Sequence, residues 1–100
     1  MTYSLRYSIQ AVEDIERVID YIEQELFSLA AAERFVNGIF AKINQLKINA
    51  NVFAVSIYED VRQYDVAARH VTYKGFAIIY SIHARTVVIH RIIHNSLIKK

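Results

Sequence analysis

The 100-residue chain has no cysteine, no proline and only two glycines. Without cysteine there is no disulfide framework, no thiolate nucleophile and no cysteine-ligated zinc site. The same absence fits a reducing cytoplasm, the expected location. The scarcity of glycine and proline excludes collagen-like, linker-like and low-complexity chains. No apolar run approaches the roughly 20 residues of a membrane span, and the mixed start Met1-Thr2-Tyr3-Ser4-Leu5-Arg6 does not read as a signal peptide, so no membrane partner is expected. What is present is apolar surface: 54% of residues are hydrophobic and 22% charged. That is enough to build a core in one domain spanning residues 1–100 and too much for a disordered chain.

Net charge is only +2, but it is unevenly spread. Residues 1–60 carry five basic and nine acidic side chains, whereas residues 61–100 carry seven basic and one acidic, together with all four histidines. Such asymmetry points either to an anionic partner, such as nucleic acid, or to a solvated face that happens to be basic.

The apolar pattern changes period along the chain. Residues 3–8 alternate as a strand, with Tyr3, Leu5 and Tyr7 on one side. Ser8 then caps a helix whose apolar stripe is Val12, Ile15, Val18, Ile19, Ile22 and Leu26. After a break at Phe27-Ser28 a second helix follows through Ala32, Phe35, Val36, Ile39, Phe40, Ile43 and Leu46. The short break predicts an antiparallel helical hairpin. Asn49-Ala50-Asn51 is expected to end it through a left-handed asparagine. Residues 52–66 read as a connection with one short element. Three runs rich in β-branched and aromatic residues follow, at 67–73, 76–82 and 86–93, separated by Lys74-Gly75 and His83-Ala84-Arg85. They predict a three-strand antiparallel meander. The order β, α, α, β, β, β implies an α+β two-layer fold, with the hairpin across one face of an antiparallel sheet and the other face open. Whether Phe76, Ile78, Tyr80 and Ile82 or Ala77, Ile79 and Ser81 face the helices is not fixed by pattern.

This order, with several local patterns, resembles the RelE/ParE superfamily of bacterial type II toxin–antitoxin toxins. The residues that carry the resemblance are Tyr7-Ser8 entering a helix with Ala11 and Asp14-Ile15, then Tyr21-Ile22, then Ala32 and Phe35 leading to Leu46. The strongest stretch is Arg69-His70-Val71 through Phe76-Ala77-Ile78-Ile79-Tyr80, followed by Val87-Val88-Ile89-His90-Arg91-Ile92-Ile93-His94. The resemblance implies a small toxin held inactive by a cognate antitoxin. It also implies one of two actions: ParE-like binding and poisoning of DNA gyrase, or RelE-like cleavage of mRNA on the ribosome. An orphan member that only binds antitoxin is a third reading.

Cleavage by 2′-hydroxyl attack needs a base, a cation to steady the phosphorane and an acid for the leaving oxygen. Relative to RelE-like nucleases, Ala77 stands where a mid-strand arginine is prominent, and Ala68 where a lysine is usual. The missing arginine and the Arg91-Ile92-Ile93-His94 ending favour the ParE-like reading, while the clustered histidines and the basic half favour the nuclease. The candidates for catalysis are Arg91 and His94, with Arg69 and His70. Lys74, Tyr80, His90, Lys99 and Lys100 are candidates for target binding. Histidines exchange protons near neutral pH and arginine grips phosphate bidentately. Each candidate also has a structural reading: Arg69 paired with Glu13 or Asp14, His90 and Tyr80 packed in the sheet, Lys74 solvated at its turn. His90 and His94, four apart on a strand, lie about 13 Å apart and cannot share a metal ion. No metal and no cofactor are expected.

Overall fold

The computed structural model describes residues 2–99. The element order follows the changes of period: β1 (Ser4–Tyr7), α1 (Ile9–Leu26), α2 (Leu29–Asn49), a 3-10 turn (Ala50–Val52), α3 (Glu59–Arg62), β2 (Arg69–Tyr73), β3 (Phe76–His83), β4 (Thr86–His94) and a final 3-10 turn (Asn95–Leu97). Both serine caps form as expected. The Ser8 hydroxyl accepts the Ala11 N–H at 3.0 Å, and that of Ser28 accepts the Ala31 N–H at 3.2 Å, each satisfying an orphan donor of a first turn. No helix among the described residues is long and apolar enough to cross a membrane.

Three expectations are corrected. The sheet is mixed, because β1 runs parallel to β4 in the order β1-β4-β3-β2. The reason is geometric. The Tyr3 N–H donates to the Lys47 carbonyl at 2.7 Å, so α2 ends beside the start of β1 and the chain re-enters the sheet in β1's own direction. An odd-numbered meander then leaves its last strand parallel to its first. The second correction concerns the end of α2. Ala50 keeps a right-handed conformation (φ −54°), and the helix tightens into the 3-10 turn instead of stopping at a left-handed asparagine. Side chains take up the exposed carbonyls there: the buried Tyr80 hydroxyl donates to Ala50 O at 2.7 Å, and Arg69 donates to the carbonyls of Asn51 and Phe53.

Third, the far face of the sheet is partly covered. Phe76, Ile78 and Tyr80, with Val87, Ile89 and Ile92, pack against Val18, Ile22, Ile39, Ile43 and Leu46 of the helices. On the other side Val61, Ala68 and Ile79 form a second, smaller core with Tyr58, Tyr64, Ile93 and Ile98. β3 is therefore buried on both sides from Phe76 to Ser81. The α3 region, read as a connection, acts as a lid because its apolar residues have this surface to cover.

Two local features set the site. The β3–β4 register slips between Ile79 and Tyr80: Ile79 pairs with Arg91 and Tyr80 with Ile89, leaving His90 as the extra residue of a bulge. The bulge breaks the simple alternation of β4, so that Val87, Ile89 and Ile92 all face the helices. In α1 the buried residues are Ala11, Asp14, Val18 and Ile22, while Val12 is 47% exposed. The stripe has rotated to draw a carboxylate inward.

Candidate functional site

β1 is short and stops pairing at Tyr7–Ile89, so the second half of β4 has no strand on that edge. α1 supplies what is missing. The Ser8 N–H donates to Ile89 O at 2.9 Å, and the Ser8 hydroxyl to His90 O at 2.8 Å. One and a half turns later, Asp14 Oδ2 accepts the Ile92 N–H at 2.9 Å. A helix side chain thus stands in for a neighbouring strand.

Asp14 also holds Arg91. Arg91 Nε donates to Oδ2 at 2.6 Å and Nη2 to Oδ1 at 3.0 Å, a bidentate grip, and Arg17 Nη2 reaches Oδ1 at 2.8 Å. The Asp14 side chain is only 3% exposed. Burial alone would raise its pKa, but the hydrogen bonds from Arg91, Arg17 and the Ile92 N–H outweigh it and hold the carboxyl below its usual range. The same hydrogen bonds, donated by Arg91 to Asp14, raise the pKa of Arg91. Arg91 Nη1 donates to the Tyr64 hydroxyl at 3.1 Å, and its guanidinium lies 5.9 Å from that ring's centre.

Of the other sequence-selected residues, His94 lines one open hollow with Arg91, Asp14 and Arg17, and the rest lie apart. Arg69 clips the 3-10 turn after α2, as described above. His70, on the opposite side of β2, is half-buried 6.2 Å from the Tyr58 ring, and burial lowers its pKa. Tyr80 is fully buried, its hydroxyl pushed up to about 12 by that burial. Lys74 occupies its turn with φ 45° and lies 5.5 Å from the Tyr73 ring centre. His94 is exposed: its Nδ1 accepts the Ser96 N–H at 3.2 Å, and its ring meets Phe76 edge-on at 5.6 Å. Lys99 contributes its backbone N–H to Asp60 Oδ2 at 2.9 Å. Lys100 lies outside the described residues. Arg91 and His94 share a hollow that Arg69 and His70 do not line, and both arginines have hydrogen-bond partners.

His90 belongs to a different cluster, on the far face of the sheet. Its Nε2 lies 2.7 Å from the buried Ser81 hydroxyl, which also lies 2.9 Å from His83 Nε2, and His83 Nε2 sits 2.9 Å from Asp65 Oδ2. The single Ser81 hydroxyl proton can serve only one of the two rings, and the ring tautomers set which one receives it. The Tyr64 ring stacks on His90 at 6.2 Å. Burial lowers the His90 pKa; Asp65 pulls it back up and His83 pushes it further down. No group of three or more His, Cys, Asp or Glu side chains arranged to hold a metal occurs among the described residues.

Sequence reasoning placed Asp14 beside Arg69 as one option; its partner is Arg91. The signal available was phase, because Asp14 sits three residues after Ala11 and four before Val18, both on the buried stripe. Tyr64, Asp65, Ser81 and His83 left no such signal.

The sequence matches the family described as "ParE toxin of type II toxin-antitoxin system, parDE" over residues 5–97. No curated protein matches. The fold is similar to that of a chain of the chromosomal ParDE toxin–antitoxin system from P. aeruginosa, with 20% identity and a TM-score of 0.75, covering 93% of this chain and 96% of the other. It is also similar to a chain of the RelBE2 toxin–antitoxin complex from Mycobacterium tuberculosis, with 21% identity and a TM-score of 0.56, covering 95% and 100%. With the family match spanning nearly the whole sequence, the chain belongs to the ParE toxins of the RelE/ParE superfamily.

Proposed function

We propose that this toxin arrests growth by binding DNA gyrase, without hydrolysing nucleic acid itself, and that a cognate antitoxin neutralises it in the cytoplasm. The observation that carries the reading is the state of Arg91. The best-placed candidate to grip a phosphate is held bidentately by a buried carboxylate. A cation so committed cannot also steady a phosphorane without giving up its partner. The antitoxin part rests on the family and on exposed apolar side chains such as Ile9, Ile57 and Val66, which invite a covering segment.

The test is induced expression without antitoxin, paired with purified toxin added to gyrase and supercoiled DNA. The reading expects an early fall in DNA synthesis, double-strand breaks, and cleavage complexes that accumulate in vitro. Cut transcripts on stalled ribosomes, abolished by His94→Ala, would instead establish the RelE-like nuclease.

A further inference from the structure

The binding reading leaves open which surface meets the target. We infer that the tip of the α1–α2 hairpin is the docking surface, with Phe27 as the anchor for a basic, apolar segment of the target protein. This rests on the proposal that the toxin acts by binding.

Three observations meet at the tip. Phe27 is 92% exposed, and its neighbours Leu26 and Leu29 are 53% and 57% exposed. Phe27 also adopts a left-handed backbone (φ 51°) at the end of α1, where glycine or asparagine is the usual residue. The other non-glycine residues with positive φ, Lys74 and Ala84, lie in the tight turns that close the meander, where the turn itself demands that conformation. At Phe27 the left-handed turn likewise ends α1, but a bulky phenylalanine takes it instead of glycine or asparagine. It is strained, apolar and bathed in water, and it contributes nothing to either core. An exposed phenyl ring held where glycine would relieve the strain marks a surface kept for another purpose.

Charge supplies the chemistry of the occupant. From Val18 to Glu33 the chain carries four carboxylates, Asp20, Glu23, Glu25 and Glu33, and no lysine, arginine or histidine. Two of them, Asp20 and Glu23, line an open hollow of about 560 Å³ together with Gln24, Phe27, Ser28 and Leu29. An aromatic anchor beside acidic walls fits a segment that places an aliphatic or aromatic side chain between lysines or arginines. The tip also stands clear of the sheet: Phe27 follows Asp14 by 13 residues, about 20 Å along the helix axis.

The experiment compares wild type with Phe27→Gly and with the double reversal Asp20→Lys/Glu23→Lys. It reads growth arrest, gyrase cleavage complexes, antitoxin affinity and sedimentation. Phe27→Gly relieves the backbone strain, so misfolding cannot explain a loss of potency. The expected result is at least a tenfold loss of growth arrest in both variants, with antitoxin affinity and oligomeric state unchanged. Full growth arrest by either variant overturns the inference. So does a tenfold loss of antitoxin affinity with arrest intact, or a dimer that becomes a monomer, since the tip then serves the antitoxin or a second copy. If wild type arrests growth without touching gyrase while both variants fail to arrest, the docking surface stands and the gyrase target falls. A wild type that does not arrest growth overturns both.

Discussion

The two ends of α1 are built on opposite terms. At the N-terminal end Ser8 caps the first turn and bonds β4, and Asp14 binds Arg91, Arg17 and the Ile92 N–H. At the C-terminal end Leu26 and Phe27 face water and the backbone is strained. One helix thus anchors at one end and presents at the other. The difference teaches that polarity is a poor guide to role here. The buried anchor is a carboxylate and the exposed tip is a phenyl ring.

The harshest way to break the contrast is Asp14→Ala. It leaves the Arg91 guanidinium half-buried without its partner and the Ile92 N–H without an acceptor, which costs about 3–5 kcal/mol and is read as a lowered urea midpoint. Adding Arg91→Met should recover part of that loss, because the stranded charge is then gone. Acid should attack the same end in two stages. The folded His90 pKa is lowered from 6.5, so its contribution is complete above that value and fades as pH falls below it. Asp14 is lowered from 3.8, so its contribution holds above that pH and disappears as pH falls through its folded value. A thermal melt followed from pH 8 to pH 2 should show both stages in wild type, and His90→Gln should shrink the earlier one, to which the half-buried His70 also contributes.

A milder test lies midway along the hairpin. A Cβ at Gly38 would overlap the Tyr73 hydroxyl, and Tyr73 is wedged edge-on against Phe35 at 5.4 Å. Gly38→Ala should cost roughly 1–3 kcal/mol by overpacking, measurable by chemical denaturation. Ser8→Ala removes a cap and should cost about 1 kcal/mol. The smallest effect has the opposite sign: Phe27→Gly should stabilise the fold by roughly 0.5–1 kcal/mol, the left-handed strain relieved less the entropy of a freer unfolded chain. A destabilised Phe27→Gly protein would mean that the tip is packed after all, and the contrast would fail.

Much of the fold was legible because each element announced its period. Ser8 and Ser28 preceded helical stripes, and Lys74-Gly75 separated β-branched runs. The direction of β1 was not, because parallel pairing depends on where α2 delivers the chain. The bulge at His90 was hidden because an extra residue leaves the composition of β4 unchanged while moving every later side chain by one place. The site was the least legible part. Asp14 reads as one more acid on a solvated face, and what buries it is Arg91, 77 residues further on. Arg91 and His94 stood out as chemistry-bearing types, but type does not reveal whether a partner already occupies the group.

The pairing of β1 with β4 bears on how the toxin is made. Ser4 to Tyr7, synthesised first, find their sheet partners only at Thr86 to Ile89, and Asp14 must wait longer still for Arg91 and Ile92. A chain emerging from the ribosome can form its hairpin early, but it cannot complete the sheet until almost its last residue is free. The sheet that carries Asp14's partners is therefore completed only once β4 has left the ribosome.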